Sequence, residues 1–123
     1  MEATLTNTAL LETVVRAADS KKASRLVALD LQGVSTMADY FVIADAPSER
    51  QVRAIVDEIK DKAQEFGVAD VKLEGYQQSE WVLLNLGDVI VHVFASEQRD
   101  FYNLERLWGD APYVDLTDWV IED

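Results

Sequence analysis

The chain has 123 residues, no cysteine and a formal net charge of −12, from 11 Lys and Arg against 23 Asp and Glu. A chain of this length folds as one domain with a core of its own. Without cysteine, a disulfide framework, a thiolate zinc site and a cysteine nucleophile are excluded. The negative charge and the lack of any cluster of three Lys or Arg argue against direct nucleic-acid binding. Such a charge suits a basic protein partner, although solubility alone also accounts for it.

No targeting or membrane segment is evident. The N-terminus lacks a basic region followed by an apolar core, and no apolar run approaches the roughly 20 residues that span a bilayer. We therefore expect a cytoplasmic protein without a membrane partner.

Apolar spacing predicts the first half of the fold. A helix from about Ala9 to Ala23, capped by Thr8, follows from apolar residues that recur on one face. Two nearly continuous apolar runs, Arg25–Gln32 and Asp39–Ala46, predict strands covered on both faces. They are joined by a turn region at Gly33–Met37.

The second helix has clear start and stop signals. Ser48 and Gln51 form a capping-box pattern, and Gly67 supplies the C-terminal stop. Arg53 and Asp57 fall on the face opposite the apolar stripe, which indicates a solvated surface. The apolar stripe consists of Val52, Ile55, Val56, Ile59, Ala63 and Phe66.

Three strands and a helix are predicted next. Val68–Gly75 indicates a strand, and Glu80–Gly87 with Asp88–Ala95 indicates a hairpin that turns at Gly87-Asp88. Ser96 to Gly109 indicates a third helix. The order α-β-β-α-β-β-β-α predicts an α/β fold, a mixed sheet flanked by helices.

The chain divides into a single domain over residues 1–112 and a tail over residues 113–123. No Lys or Arg follows Arg106, and the tail alternates acidic with apolar residues. Such an acidic amphipathic tail can pack partly back on the domain or dock on a partner.

His92 is the only histidine. Strand alternation places it with Ile90 and Phe94 on one face and Val91 with Val93 on the other. A general base needs a pocket and an orienting partner, and the sequence shows neither. A core role is favoured, with interface contact or proton chemistry as the alternatives.

The tryptophans suggest contact surfaces. Trp81 opens a strand after a polar run, a place where an aromatic side chain can stay exposed and anchor an interface, although it can equally pack on a helix. If the strands pair, Glu74 next to Trp81 forms an acidic-aromatic patch. The helical stripe around Trp108 favours the core.

No motif for catalysis, cofactor or metal is present. One His without Cys leaves only carboxylates as metal ligands, and no calcium-loop or His-x-x-x-His spacing occurs. The glycines stand singly, so a phosphate-binding loop is missing, as is a nucleophile elbow. We expect no catalytic residues, no metal and no cofactor.

Several blocks of sequence occur in a distinctive order: DYFVIADAPSERQVRAI, EG, EWVLLNLGDVIVHVF and RDFYNLERLW. From about Leu10 to Pro112 the chain resembles the Iojap family, the bacterial ribosomal silencing factors. The resemblance implies binding to the large ribosomal subunit through the ribosomal protein called L-fourteen. It further implies a block to joining of the small subunit, which represses translation when nutrients are limiting.

The resemblance also implies a nucleotidyltransferase-like architecture without its catalysis. The sequence lacks the Gly-Ser turn and the Asp-x-Asp pair that such catalysis needs. The predicted mechanism is therefore binding, with a partner surface drawn from Trp81, Glu74, Glu80, Asp88, His92 and Trp108. A large-subunit assembly factor is the alternative, followed by a nucleotidyltransferase-like enzyme. Homodimer formation is also possible.

Overall fold

The computed structural model describes residues 7–32, 38–96 and 112–120. In these ranges the elements are α1 Asn7–Ser20, β1 Ser24–Asp30, β2 Tyr40–Ala46, α2 Glu49–Phe66, β3 Lys72–Glu74, β4 Trp81–Asn85 and β5 Val89–Ala95. The strands form one sheet in the order β1-β2-β5-β4-β3. β2 and β5 are parallel, and the other neighbours are antiparallel. The predicted mixed α/β fold is confirmed. No helix in the described ranges is long and apolar enough to span a bilayer.

Two predicted elements lie outside the residues that the structure describes. Beyond Ser96, the third helix lies outside the described residues, and so does its Trp108. The turn at Gly33–Met37 lies outside them as well.

The ends of α2 are where the capping pattern predicts them. The Ser48 hydroxyl accepts a hydrogen bond from the Gln51 N–H at 3.1 Å, which satisfies one of the free donors of the first turn. Gly67 follows the last residue with φ of +126°, and its N–H donates to the Ala63 carbonyl. Both signals are confirmed.

α1 starts and ends earlier than its apolar spacing predicts. Because the helix begins at Asn7, Thr8 lies inside it rather than capping it, and the Thr8 hydroxyl lies 3.3 Å from the hydroxyl of Tyr40. At the other end, Lys22 adopts a positive φ of 64°, and the Ala23 N–H donates to the Ala18 carbonyl. A left-handed residue of this kind stops a helix.

The outer strands depart from the prediction more than the central ones. β2 is buried along its whole length, as predicted, but β1 is exposed at Ser24 and Arg25. There, Arg25 has φ of +48° and the register with β2 shifts between Ser24 and Val27, so the pairing of the edge strand is irregular at that end, although Ser24 still pairs with Asp45. β3 is limited to Lys72–Glu74, because only these residues pair with β4.

The sheet has two different buried faces. Both helices pack on the first face, against strand residues such as Val42, Val82 and Val91. The second face carries a separate apolar cluster of Leu29, Leu31, Ala38, Phe41, Ile43, Ile90 and Phe94. Alternation along β5 divides its side chains between the two faces as predicted.

The Ser48 cap is open to a direct test. We expect Ser48→Ala to lower the free energy of unfolding by about 1 kcal/mol, because the Gln51 N–H loses its acceptor. Ser48→Asp is the matched control, since it keeps an acceptor and adds negative charge at the helix N-terminus. Urea unfolding of the three proteins measures the difference, and equal stability would contradict the role of the cap.

Candidate functional site

Paired residues form rows across the second face of the sheet. The strand register places Trp81 opposite Phe94, and Phe94 opposite Asp45. The next row runs through Glu74, Leu83, His92, Ile43 and Val27. Trp81 belongs to the first row and Glu74 to the second, and both lie towards the β3 edge of the sheet.

His92 lies in the second row and is 5% exposed. Its Nδ1 accepts a hydrogen bond from the Trp81 indole N–H at 3.1 Å. A nitrogen that accepts cannot carry the proton, so the neutral ring is protonated at Nε2. Nε2 is buried and has no hydrogen-bond partner among the residues that the structure describes. Burial lowers the pKa of His92 from 6.5 to about 4, so the ring is neutral at neutral pH.

The Trp81 indole packs on a cluster of buried aromatic rings. The Trp81 and Phe94 rings stack with centroids 5.1 Å apart and planes 19° apart. Phe41 meets His92 edge to face at 4.9 Å. Phe94 is completely buried, whereas Trp81 is half-buried. The indole is therefore fixed by a hydrogen bond and a stack, yet keeps accessible surface.

The accessible side of Trp81 borders a shallow cleft of about 260 Å³. Glu74, Gly75, Trp81 and Leu83 line it. β3 and β4 pair as the acidic-aromatic prediction requires. The side chain of Glu74 is exposed, and so is that of Glu80, which precedes Trp81 in the chain. We name this surface, formed by Glu74, Gly75, Glu80, Trp81 and Leu83, the Trp81 corner.

The loop before β4 is tied to α2. Arg53 donates to the Ser79 hydroxyl at 3.1 Å, and the Ser79 hydroxyl donates to the Tyr76 carbonyl at 2.6 Å. The Tyr76 hydroxyl donates to Asp57 at 2.9 Å, and this bond raises the pKa of Tyr76. Arg53 and Asp57, which the helical pattern assigned to plain solvated surface, therefore anchor the loop that leads into Trp81.

Other predicted contact residues are not at the Trp81 corner. Asp88 lies at the opposite end of β5 from Phe94, about 20 Å along the strand, where its carbonyl accepts from Asp39 and Tyr40. Asp88 is therefore not part of the Trp81 corner, although the sequence analysis places both residues in one partner surface. Lys72 is two residues from Glu74 on the same face, so one cation flanks the acidic side chains.

Sequence reasoning missed an ion pair between a buried carboxylate and a half-exposed arginine on the second face of the sheet. Asp45 is fully buried, and the Arg25 Nε donates to its carboxylate at 2.6 Å. An aspartate inside the apolar run YFVIADA is the signal that could have found it, because a buried carboxylate needs a paired donor. In the described part of the chain, no three His, Cys, Asp or Glu residues form a group that could hold a metal ion.

Comparison with known proteins identifies the family. The family model for "ribosomal silencing factor during starvation" matches residues 4–123. The chain belongs to the ribosomal silencing factor family. The match extends beyond Pro112, where the sequence resemblance ended, to the last residue. Family members are regulatory proteins, which is consistent with a role in translation.

Relatives agree with this assignment. The ribosomal silencing factor RsfS of Halalkalibacterium halodurans is 53% identical over 112 residues, 91% of this chain and 96% of that protein. The chloroplastic protein Iojap of Zea mays is 33% identical over 103 residues, 84% of this chain and 45% of that protein. A crystal structure from Bacillus halodurans has a TM-score of 0.79 at 50% identity, covering 89% of this chain and all of that one. The likeness to nucleotidyltransferases stays a prediction.

Protonation of His92 should make the fold acid-sensitive. The unfolded histidine takes up a proton below pH 6.5 and the folded one only below about 4. Between these values unfolding binds a proton, so the free energy of unfolding falls as pH falls, by about 1.4 kcal/mol per pH unit. His92→Gln, which keeps an acceptor for the indole, should lose this part of the slope. Urea unfolding from pH 7 to pH 4.5 measures both proteins, and identical slopes would contradict the prediction.

Gly75 should be intolerant of a side chain. It has φ of +80°, and an added Cβ would overlap the Trp81 carbonyl oxygen. Gly67 is the matched control, because its φ of +126° is equally unfavourable for other residues but its surroundings are empty. We expect Gly75→Ala to cost at least about 1 kcal/mol more than Gly67→Ala in urea unfolding. Equal costs would show that the overlap relaxes freely.

Proposed function

We propose that this protein binds the large ribosomal subunit through its L-fourteen-type ribosomal protein and sterically blocks joining of the small subunit. The Trp81 corner is the docking surface. The protein acts in the cytoplasm, by binding and without catalysing a reaction, and thereby represses translation when nutrients are limiting. Family membership supports the regulatory role, and the Trp81 corner is the observation that carries the proposed mode of binding.

Trp81 has the properties of an interface anchor. Interface hot spots are enriched in tryptophan and lie in well-packed surroundings, because a rigid side chain loses little entropy on binding. Its hydrogen bond to His92 and its stack on Phe94 hold the indole before a partner arrives. His92 contributes to binding indirectly in this mechanism, since it is buried beneath the anchor.

The cleft beside Trp81 suits an apolar or amphipathic side chain. Trp81 and Leu83 supply apolar walls, and Glu74 supplies a carboxylate at the rim. A lysine or arginine can lay its aliphatic stem along such walls and place its cation near a carboxylate. The overall charge of −12 favours encounter with a basic surface, with the largest effect at low salt.

Steric exclusion requires no further chemistry. A domain bound at the face where the subunits meet occupies space that the small subunit needs, so its folded bulk suffices. The mechanism therefore depends on affinity and position alone, and both can be tested with binding-site variants.

Co-sedimentation with isolated large subunits tests the docking surface. We expect Trp81→Ala to weaken binding by about 30-fold or more, the loss of about 2 kcal/mol typical of a buried tryptophan anchor. Glu74→Gln should have a smaller effect that disappears at high salt, because a rim charge acts mainly through encounter. Glu65→Gln, an exposed carboxylate on α2, is the matched control for charge and should bind as the parent does.

Light scattering of mixed subunits then tests the block to joining. The parent protein should suppress association in proportion to its occupancy, and Trp81→Ala should fail to do so at equal concentration. Unchanged binding by folded Trp81→Ala would exclude the Trp81 corner as the dock. Binding to precursor particles but not to mature large subunits would favour an assembly role instead.

A further inference from the structure

The Glu74 wall of the Trp81 corner is built on the shortest strand of the sheet. β3 contains only Lys72–Glu74, and among the described strands it pairs with β4 alone, at three positions. An edge element held by few backbone bonds opens more readily than the central strands. The position of this wall therefore depends on contacts made by the residues that follow β3.

The residues that follow β3 form a closed turn before the chain enters β4. The Ser79 N–H donates to the Gly75 carbonyl at 2.9 Å, which closes the turn over residues 75–79. Gly75 lies so close to the Trp81 carbonyl oxygen that an added Cβ would overlap it. The turn thus links the position of Glu74, at the end of β3, to that of Trp81.

Two side-chain hydrogen bonds attach this turn to α2. Arg53 and Asp57 are four residues apart on α2 and therefore lie on the same side of the helix. Arg53 donates to the Ser79 hydroxyl at 3.1 Å, and Asp57 accepts from the Tyr76 hydroxyl at 2.9 Å. We name these four residues the α2 tether. Because it holds the turn at two points, the turn cannot rotate about either one.

Ser79 has a backbone conformation that favours glycine. Its φ is +58°, and its side chain is completely buried. A left-handed conformation is unfavourable for a residue with a Cβ. The Ser79 hydroxyl offsets this cost, because it accepts from Arg53 and donates to the Tyr76 carbonyl at 2.6 Å. The contribution of this serine is therefore its hydroxyl, which joins the turn to α2.

We propose that the α2 tether positions the Trp81 corner for docking, and that its four residues act on the partner only through the walls of the cleft. With the tether in place, Glu74 and Gly75 already line the cleft together with Trp81 and Leu83. Without it, β3 and the turn sample other positions, and a partner has to order them when it binds, which lowers affinity. The proposal rests on the docking function proposed above.

Conservative changes at one attachment separate positioning from direct contact with the partner. Tyr76→Phe removes the hydroxyl that donates to Asp57 and keeps the carboxylate, whereas Asp57→Asn removes the charge and keeps an acceptor. In co-sedimentation with isolated large subunits, we expect Tyr76→Phe to bind about fivefold more weakly than the parent, the effect of one hydrogen bond. Asp57→Asn should bind severalfold more tightly than Asp57→Ala. Parent-like binding by Tyr76→Phe would overturn the proposal.

Ser79→Gly tests the other attachment. It removes the hydroxyl that accepts from Arg53, and the chain stays folded because glycine adopts the positive φ without strain. We expect binding about fivefold weaker or more, since two hydrogen bonds of the turn are lost. Gln77→Ala is the matched control, because Gln77 is exposed in the same turn and its side chain has no hydrogen bond among the described residues. An equal loss in both variants would overturn the proposal, since the turn would then contact the partner directly.

Hydrogen exchange of the free proteins shows whether the tether holds the edge. Peptides that cover residues 72–80 should exchange severalfold faster in Tyr76→Phe and Ser79→Gly than in the parent, while peptides from β2 and β5 should be unchanged. Val15→Ala is the control for stability, because it opens a cavity under α1 and leaves the tether intact. It should bind as the parent does and show no local increase. Parent-like exchange over residues 72–80 in both tether variants would overturn the proposal.

Trp81→Ala, measured in the same binding series, separates failure of the tether from failure of the docking surface. If Trp81→Ala loses binding while the tether variants bind as the parent does, positioning by the tether is overturned and the docking surface stands. If the parent does not bind large subunits, or Trp81→Ala binds equally well, the docking surface is excluded, and positioning by the tether is overturned with it. Graded losses in Trp81→Ala, Ser79→Gly and Tyr76→Phe, with parent-like binding by Val15→Ala, are the expected result.

Discussion

The parallel pairing of β2 with β5 is the constraint on which the rest of the structure depends. The two strands pair over seven successive positions, from Tyr40 opposite Val89 to Ala46 opposite Ala95, at the centre of the sheet. Each antiparallel hairpin then extends the sheet outward on one side. A shift of this central register by one residue would move every side chain to the opposite face. It would bring Val91 and Val93 where His92 and Phe94 now lie, and the helices would lose their apolar contact surface.

The same alternation explains why an apolar strand contains a histidine. His92 faces away from the helices and towards β4, where the register places it opposite Leu83 and within reach of the Trp81 indole. Its burial cost is partly offset by the indole N–H, which also removes the freedom of the indole to rotate. A titratable residue thus orients a neighbour without any chemistry of its own. Interpretation of His92 as a core residue agrees with this geometry.

The two edges of the sheet differ in the way they are completed. At the β3 edge, the loop before β4 is tied to α2 through Arg53 and Asp57, and Trp81 and Glu74 remain accessible. At the β1 edge, residues 112–114 pair with the strand itself. One edge thus has fixed, accessible side chains, while at the other the backbone is covered by a segment of the same chain. These are separate solutions to the problem of unpaired strand edges.

Local patterns in the sequence determined the helix α2 with both its ends, the alternation along β5, the turn at Gly87 and the α/β class. Helix caps, glycine turns and the spacing of apolar residues each act over only a few residues, so the sequence alone specifies them. The resemblance to the silencing factors also came from the sequence, through blocks of residues in order. Only the tertiary structure decided the sheet order, the distance of Asp88 from Trp81, the anchoring role of Arg53 and Asp57, and the pairing of residues 112–114 with β1. These depend on contacts between residues far apart in the chain, such as Ala28 and Val114, and no local pattern specifies which strand edge or helix face a distant segment will meet.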